Sequence, residues 1–128
     1  MLRSRILSGN PRLENAAVGG PSIKRRPPDD DFDAVQRIQR ALREIGYPMS
    51  LSFKSGDADG KYGDETVRAV QDFQRHAFPG QPGQWDGRVG RHTLAQMDAA
   101  LVPDDQAVEG PAEDRIASIE TVNPSNFA

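Results

Sequence analysis

A short frame occurs twice in this chain and restricts its fold more than any other feature. Asp59-Gly-Lys-Tyr-Gly-Asp-Glu-Thr66 returns 27 residues later as Asp86-Gly-Arg-Val-Gly-Arg-His-Thr93. Such self-similarity marks a structural unit used twice. The Asp-Gly pairs at Asp59–Gly60 and Asp86–Gly87 read as tight turns, with glycine taking the positive φ that other residues resist. Gly63 and Gly90 stand just before an amphipathic segment, where the backbone is expected to pass close to its neighbours. Thr66 and Thr93 fall in the first helical turn, where a hydroxyl can bond back to the turn and lock it.

The first copy lies in the acidic stretch Ser55–Thr66, which has the composition of a calcium loop. Setting Gly60 at the sixth position of such a loop puts Asp57 and Asp59 at the third and fifth. Position one is then Ser55, and position twelve is Thr66 where a bidentate glutamate is required. The second copy keeps the turn and loses most of the acid. The frame therefore reads as a turn scaffold, with Asp57, Asp64 and Glu65 as solubility and helix-dipole residues. No metal site or cofactor is expected.

Three segments carry helical periodicity. In the first, Val35, Ile38, Leu42 and Ile45 share a face, Asp29–Asp31 supply a cap, and Gly46 is the stop. The second places Val67, Val70 and Phe73 together and ends at Pro79-Gly80. The third aligns Leu94, Met97 and Leu101, with Pro103 as its expected end. A weak apolar run, Ile116–Val122, suggests a short strand or docking segment. Hydrophobic content is 36%, so a small core with flexible ends is expected. Charge divides the same way: residues 1–28 carry six Lys/Arg against one Glu, residues 33–101 nine of each sign, and residues 102–128 one Arg against six Asp/Glu. The reading is all-α: a basic arm with Pro and Gly (1–32), a compact three-helix body built on two Asp-Gly turn–helix units (33–102) and an acidic tail (103–128).

In order, "VQRIQRALREIGY", "DGKYGDETVRAVQDFQ" and "WDGRVGRHTLAQM" resemble the peptidoglycan-binding domain that serves as a wall-targeting module on bacterial amidases, endolysins and other cell-wall hydrolases. The resemblance covers roughly residues 33–101. It implies a compact three-helix domain with a surface groove for the glycan or its stem peptide. Two departures stand out: the connections from Gly46 to Asp59 and from Phe73 to Asp86 are longer than the family's usual ones. Animal matrix metalloprotease propeptides share the fold, but this chain has no cysteine for their inhibitory motif.

Recognition of sugar and stem peptide calls for aromatic faces and planar polar groups. Tyr47, Phe53, Tyr62, Gln84, Trp85 and Arg88 lie in or beside the loops and are the candidate ligand residues; the aromatic ones could equally cap the core. The two histidines, His76 and His92, lack the i, i+4 partner of a helical zinc pair and the companions of a catalytic triad. No catalytic residue is assigned, and the chain reads as a non-catalytic binder of peptidoglycan. The alternative is a protein-interaction adaptor or structural component, for example in a phage-like contractile injection or secretion machine, with a cell-wall hydrolase or a machine protein as partner. An acidic pI near 5.3 and a neutral body argue against nucleic acid. There is no run of about 18 apolar residues for a membrane span and no apolar core of a signal peptide near Met1. The expectation is synthesis in the cytoplasm and action at the envelope or outside the cell after export by another route.

Overall fold

The computed structural model describes residues 2–25 and 30–109, with side chains as far as Val102. Among the described residues there are four α-helices: α1 (Pro11–Ala17), α2 (Phe32–Ile45), α3 (Asp64–Ala77) and α4 (Arg91–Glu109). A single 3-10 turn, Pro82–Gln84, lies between α3 and α4. The all-helical bundle expected from periodicity is present. Asp31 caps α2 by accepting the Ala34 amide at 2.8 Å, and Gly46 ends it with φ of 121°.

α2 packs on α3 and α4, and α3 packs on α4. Their shared core holds Val35, Ile38, Leu42, Val70, Phe73, Leu94, Met97 and Leu101, the residues the helical spacing singled out. Fully burying each such side chain stabilises by about 1.5–3 kcal/mol. α4 runs past Pro103 to Glu109, so that proline is not the stop the sequence suggested. A proline removes one backbone donor, and the residues after it include neither Gly nor Pro before Gly110.

The larger correction concerns the N-terminal arm, which belongs to the core. Leu7, Leu13, Ala16 and Ile23 are fully buried, and α1 lies against α4. The chain start is tied down by Asp98 on α4, whose carboxylate accepts the Arg3 amide at 2.9 Å and the Ser4 amide at 2.7 Å. Arg12 forks onto Asp30 at 3.0 Å and also donates to the Pro21 and Ser22 carbonyls. Ile23 and Val89 exchange two backbone hydrogen bonds, at 3.0 and 2.8 Å, as an isolated antiparallel bridge. Apolar positions Leu7, Leu13 and Ile23 are spread through a polar sequence without a long period, so no periodic signal marks them as core. The Pro27-Pro28 break and the Ile116–Val122 run lie outside the described residues.

Candidate functional site

Both copies of the repeated frame are organised by a buried glutamine from the preceding helix. In the first, Gln39 of α2 directs its amide Nε2 to Asp59 Oδ1, the Lys61 carbonyl and Thr66 Oγ1, each at 3.0 Å. Its Oε1 accepts the Gly60 amide at 3.0 Å. In the second, Gln74 of α3 reaches Asp86 Oδ1 at 3.1 Å, the Arg88 carbonyl at 2.9 Å and Thr93 Oγ1 at 3.1 Å, and accepts the Gly87 amide at 2.9 Å. Each Asp also accepts the amide two residues on, Lys61 or Arg88. Both glutamines are fully buried, so these bonds meet polar demands that would otherwise be costly.

Gly60 and Gly87 have φ of 71° and 74°, as the Asp-Gly turns required. The helix before each turn also presses a side chain onto its glycine. A Cβ on Gly60 would stand 2.4 Å from the Phe32 ring, and one on Gly87 2.8 Å from Val67 Cγ1. The close approach expected at the second glycine of the frame holds only in one copy. Gly90 faces Ser22 Oγ, whereas a Cβ on Gly63 would meet open space.

The two units differ at the surface. Glu65, in the first turn of α3, accepts the Leu51 and Ser52 amides at 3.1 and 2.6 Å and so pins the long first loop. Burial would raise its carboxyl, but those amide donors outweigh it and hold it below the usual carboxylate range. Asp64 pairs with Arg25, and Asp57 pairs with Arg40 at 2.9 Å. That pairing holds the Asp57 carboxyl low. The acids read as solubility and dipole residues are thus committed to named protein partners. Among the described residues, no group of three or more His, Asp or Glu is placed to hold a metal ion.

In the second unit Arg91 and His92 stand at the positions of Asp64 and Glu65, and Arg88 stands at that of Lys61. A cation in the first turn of a helix, as Arg91 is, is disfavoured by roughly 0.3–1 kcal/mol near the surface. Arg88, Arg91 and His92 line an open cleft of 190 Å³ with Ser22, Gln84, Asp86, Gly90 and Thr93. Asp86, the one carboxylate there, turns Oδ1 inward to Gln74 and the Arg88 amide. The candidates Gln84 and Arg88 therefore come together, and the structure adds Arg91 and His92 to them. No local signal marks these two, since each simply stands where the first unit carries an acid.

The other candidates separate. Tyr47 lines a second cleft of 230 Å³ with Pro48, Glu65, Arg68 and Asp72, and its hydroxyl lies 2.8 Å from His76 Nδ1. Its ring meets Phe73 edge-on, and burial raises its hydroxyl above the ordinary tyrosine range. Phe53 lies under the Arg43 guanidinium at 4.1 Å. Trp85 donates its indole N–H to the Phe78 carbonyl at 3.0 Å, fastening the second loop. Tyr62 has no face for a ligand: it is 1% exposed and donates to the Gly87 carbonyl at 2.6 Å. It is the contact through which one unit's turn rests on the other's, and burial pushes its hydroxyl well above the usual range.

Residues 31–97 match the family described as "Putative peptidoglycan binding domain". A type VI secretion system spike protein of Vibrio cholerae serotype O1, VgrG3, is 32% identical over 109 residues, an alignment taking in 80% of this chain and 10% of the relative. The chain thus spans about a tenth of that protein's length. No solved structure gives a significant match. No helix among the described residues is long and apolar enough to cross a membrane. With more than half its length inside the family match, and both copies of the frame folded on their glutamines, the chain belongs to the peptidoglycan-binding domain family.

Proposed function

We propose that this chain binds bacterial cell-wall peptidoglycan without cleaving it. The observation that carries the proposal is the family match across residues 31–97, which takes in both turn–helix units and the cleft residues Gln84, Arg88, Arg91 and His92. The fold holds those units rigidly, because each turn is bonded to its glutamine at four points. Rigid positioning of a small polar surface suits recognition, since little side-chain or loop ordering is then lost on binding. Under this reading the chain acts at the cell envelope or outside the cell, and its ligand is the glycan or the peptide attached to it. Co-sedimentation with purified insoluble sacculi tests the idea. The chain is expected in the pellet at micromolar concentration and low salt, and a chain that stays in the supernatant overturns the reading.

A second reading is favoured by one observation, the 32% identity to a secretion-system spike protein. On that reading the domain is an adaptor or structural component of a secretion machine that meets the wall, with a machine protein or a wall hydrolase as partner. The two readings are compatible when the domain holds such a machine or its cargo against peptidoglycan. A pull-down from the native host separates them: recovery of a machine protein by a chain that ignores sacculi favours the adaptor alone.

A further inference from the structure

We propose that the cleft at the start of α4 binds a free carboxylate of the peptidoglycan stem peptide, through Arg88, Arg91 and His92. The inference rests on the peptidoglycan reading above and assigns that reading a ligand group and a place.

Among the described residues the two guanidinium groups, of Arg88 and Arg91, have no acidic partner, whereas Arg12, Arg25, Arg37, Arg40 and Arg75 each pair with an aspartate. The first turn–helix unit shows what the same fold does when its surface charges are satisfied internally. There Asp57 pairs with Arg40, Asp64 pairs with Arg25, and Glu65 takes two loop amides. The second unit places Gln84, Arg91 and His92 at the matching positions, and among the described residues the one carboxylate lining the cleft is Asp86, whose Oδ1 is turned to two N–H groups. Planar guanidinium donors match a carboxylate with two parallel hydrogen bonds, which gives orientation as well as attraction.

Size selects within peptidoglycan. A cleft of 190 Å³ falls below the roughly 300–1,000 Å³ of sites that enclose drug-sized ligands. It admits a carboxylate with a small substituent, the end or side chain of a D-amino acid, and is too small to enclose a disaccharide. The only free carboxylates of intact peptidoglycan are on its peptides, the lactyl carboxyl that carries each peptide being spent in an amide bond. Ser22, Gln84 and the Gly90 backbone offer neutral polar atoms around the charge for the adjoining peptide group.

The test compares binding of the full chain to intact sacculi and to sacculi whose carboxyl groups have been amidated. Wild-type chain is expected to bind amidated sacculi roughly tenfold or more weakly. The double variant Arg88→Gln/Arg91→Gln should lose a similar factor on intact sacculi and become indifferent to amidation. Lys61→Gln, at the exposed position of the first unit that matches Arg88, should bind as wild type. All three sites are exposed, and unchanged urea midpoints will show that the variants are folded. Equal binding of wild type to intact and amidated sacculi overturns the inference and leaves the peptidoglycan reading standing. So does full binding by the double variant. Equal competition by polyglutamate would mean generic charge attraction and also overturns it. Wild type absent from the pellet of intact sacculi brings down both.

Discussion

At the start of α3 stand Asp64 and Glu65; at the matching positions of α4 stand Arg91 and His92. Beneath both pairs the polar interior is the same, atom for atom: glutamine amide to aspartate, to turn carbonyl and to threonine, with a glycine amide returning the bond. What separates the units is their length and their surface. Gln39 and Asp59 are twenty residues apart and Gln74 and Asp86 twelve, the excess being the loop that Glu65 pins. The first unit has spent its charges on its own loop and neighbours, while the second keeps them available. The fold needs the interior; the surface is free to be assigned.

The most severe way to break the parallel is at its centre. Gln39→Leu and Gln74→Leu should each cost about 3 kcal/mol or more, because four buried or half-buried polar groups lose their partner at once. Urea denaturation of the two variants should give similar losses; a large asymmetry would show that one unit carries the fold alone. Next come Gly60→Ala and Gly87→Ala, each forced to a positive φ at a cost of about 1–2 kcal/mol. Gly87→Ala should be the worse of the two, because Val67 is a stiff β-branched side chain on a helix, whereas Phe32 is 59% exposed and can swing aside. Thermal unfolding ranks them.

A smaller effect is expected at Glu65. Glu65→Gln should destabilise by about 1 kcal/mol or less after allowing for solvent screening, and should speed amide exchange at Leu51 and Ser52. Acid provides the same test without mutation. Asp33, held low by the Asn10 amide and by Arg37, and Glu65, held low by its two amide donors, take up protons less readily folded than unfolded. Their contribution is therefore present above the ordinary carboxylate range of about 4 and is lost as pH falls through their folded values. The urea midpoint should fall with acid in wild type, and less steeply in Glu65→Gln. The smallest effect has the opposite sign. Arg91→Asp with His92→Glu makes the second helix start like the first and should stabilise the chain by about 0.5–1 kcal/mol through the helix dipole. It should also weaken attachment to sacculi, the measurement that decides whether stability was given up there for binding.

The sequence made the helices and the turns legible, because apolar spacing and Asp-Gly chemistry are local signals. Val35, Ile38, Leu42 and Phe73 were core residues by period alone, and they are core residues in the fold. Gln39 and Gln74 were harder to see. They lie 35 residues apart while the turns they serve lie 27 apart, so a fixed-period comparison misaligns them. Tyr62 and Val89 match in position yet serve differently, one as a hydrogen-bonded contact between the turns and the other as the partner of Ile23. The arm's burial is not legible for a physical reason: it depends on partners far along the chain, Asp98 for Arg3 and Val89 for Ile23, which no window of local sequence contains.

The Asp98 latch and the Ile23–Val89 bridge bear on how this module can be cut and joined. The family match begins at residue 31, yet the apolar floor under α4 is completed by Leu7, Leu13 and Ile23, and one wall of the 190 Å³ cleft is Ser22. A chimera assembled at the family boundary would carry the recognisable repeats and leave that floor bare, inviting self-association. Grafting from residue 2 onward would carry that floor and the cleft wall along with the repeats. The inheritable piece is thus longer than the piece that the family match outlines.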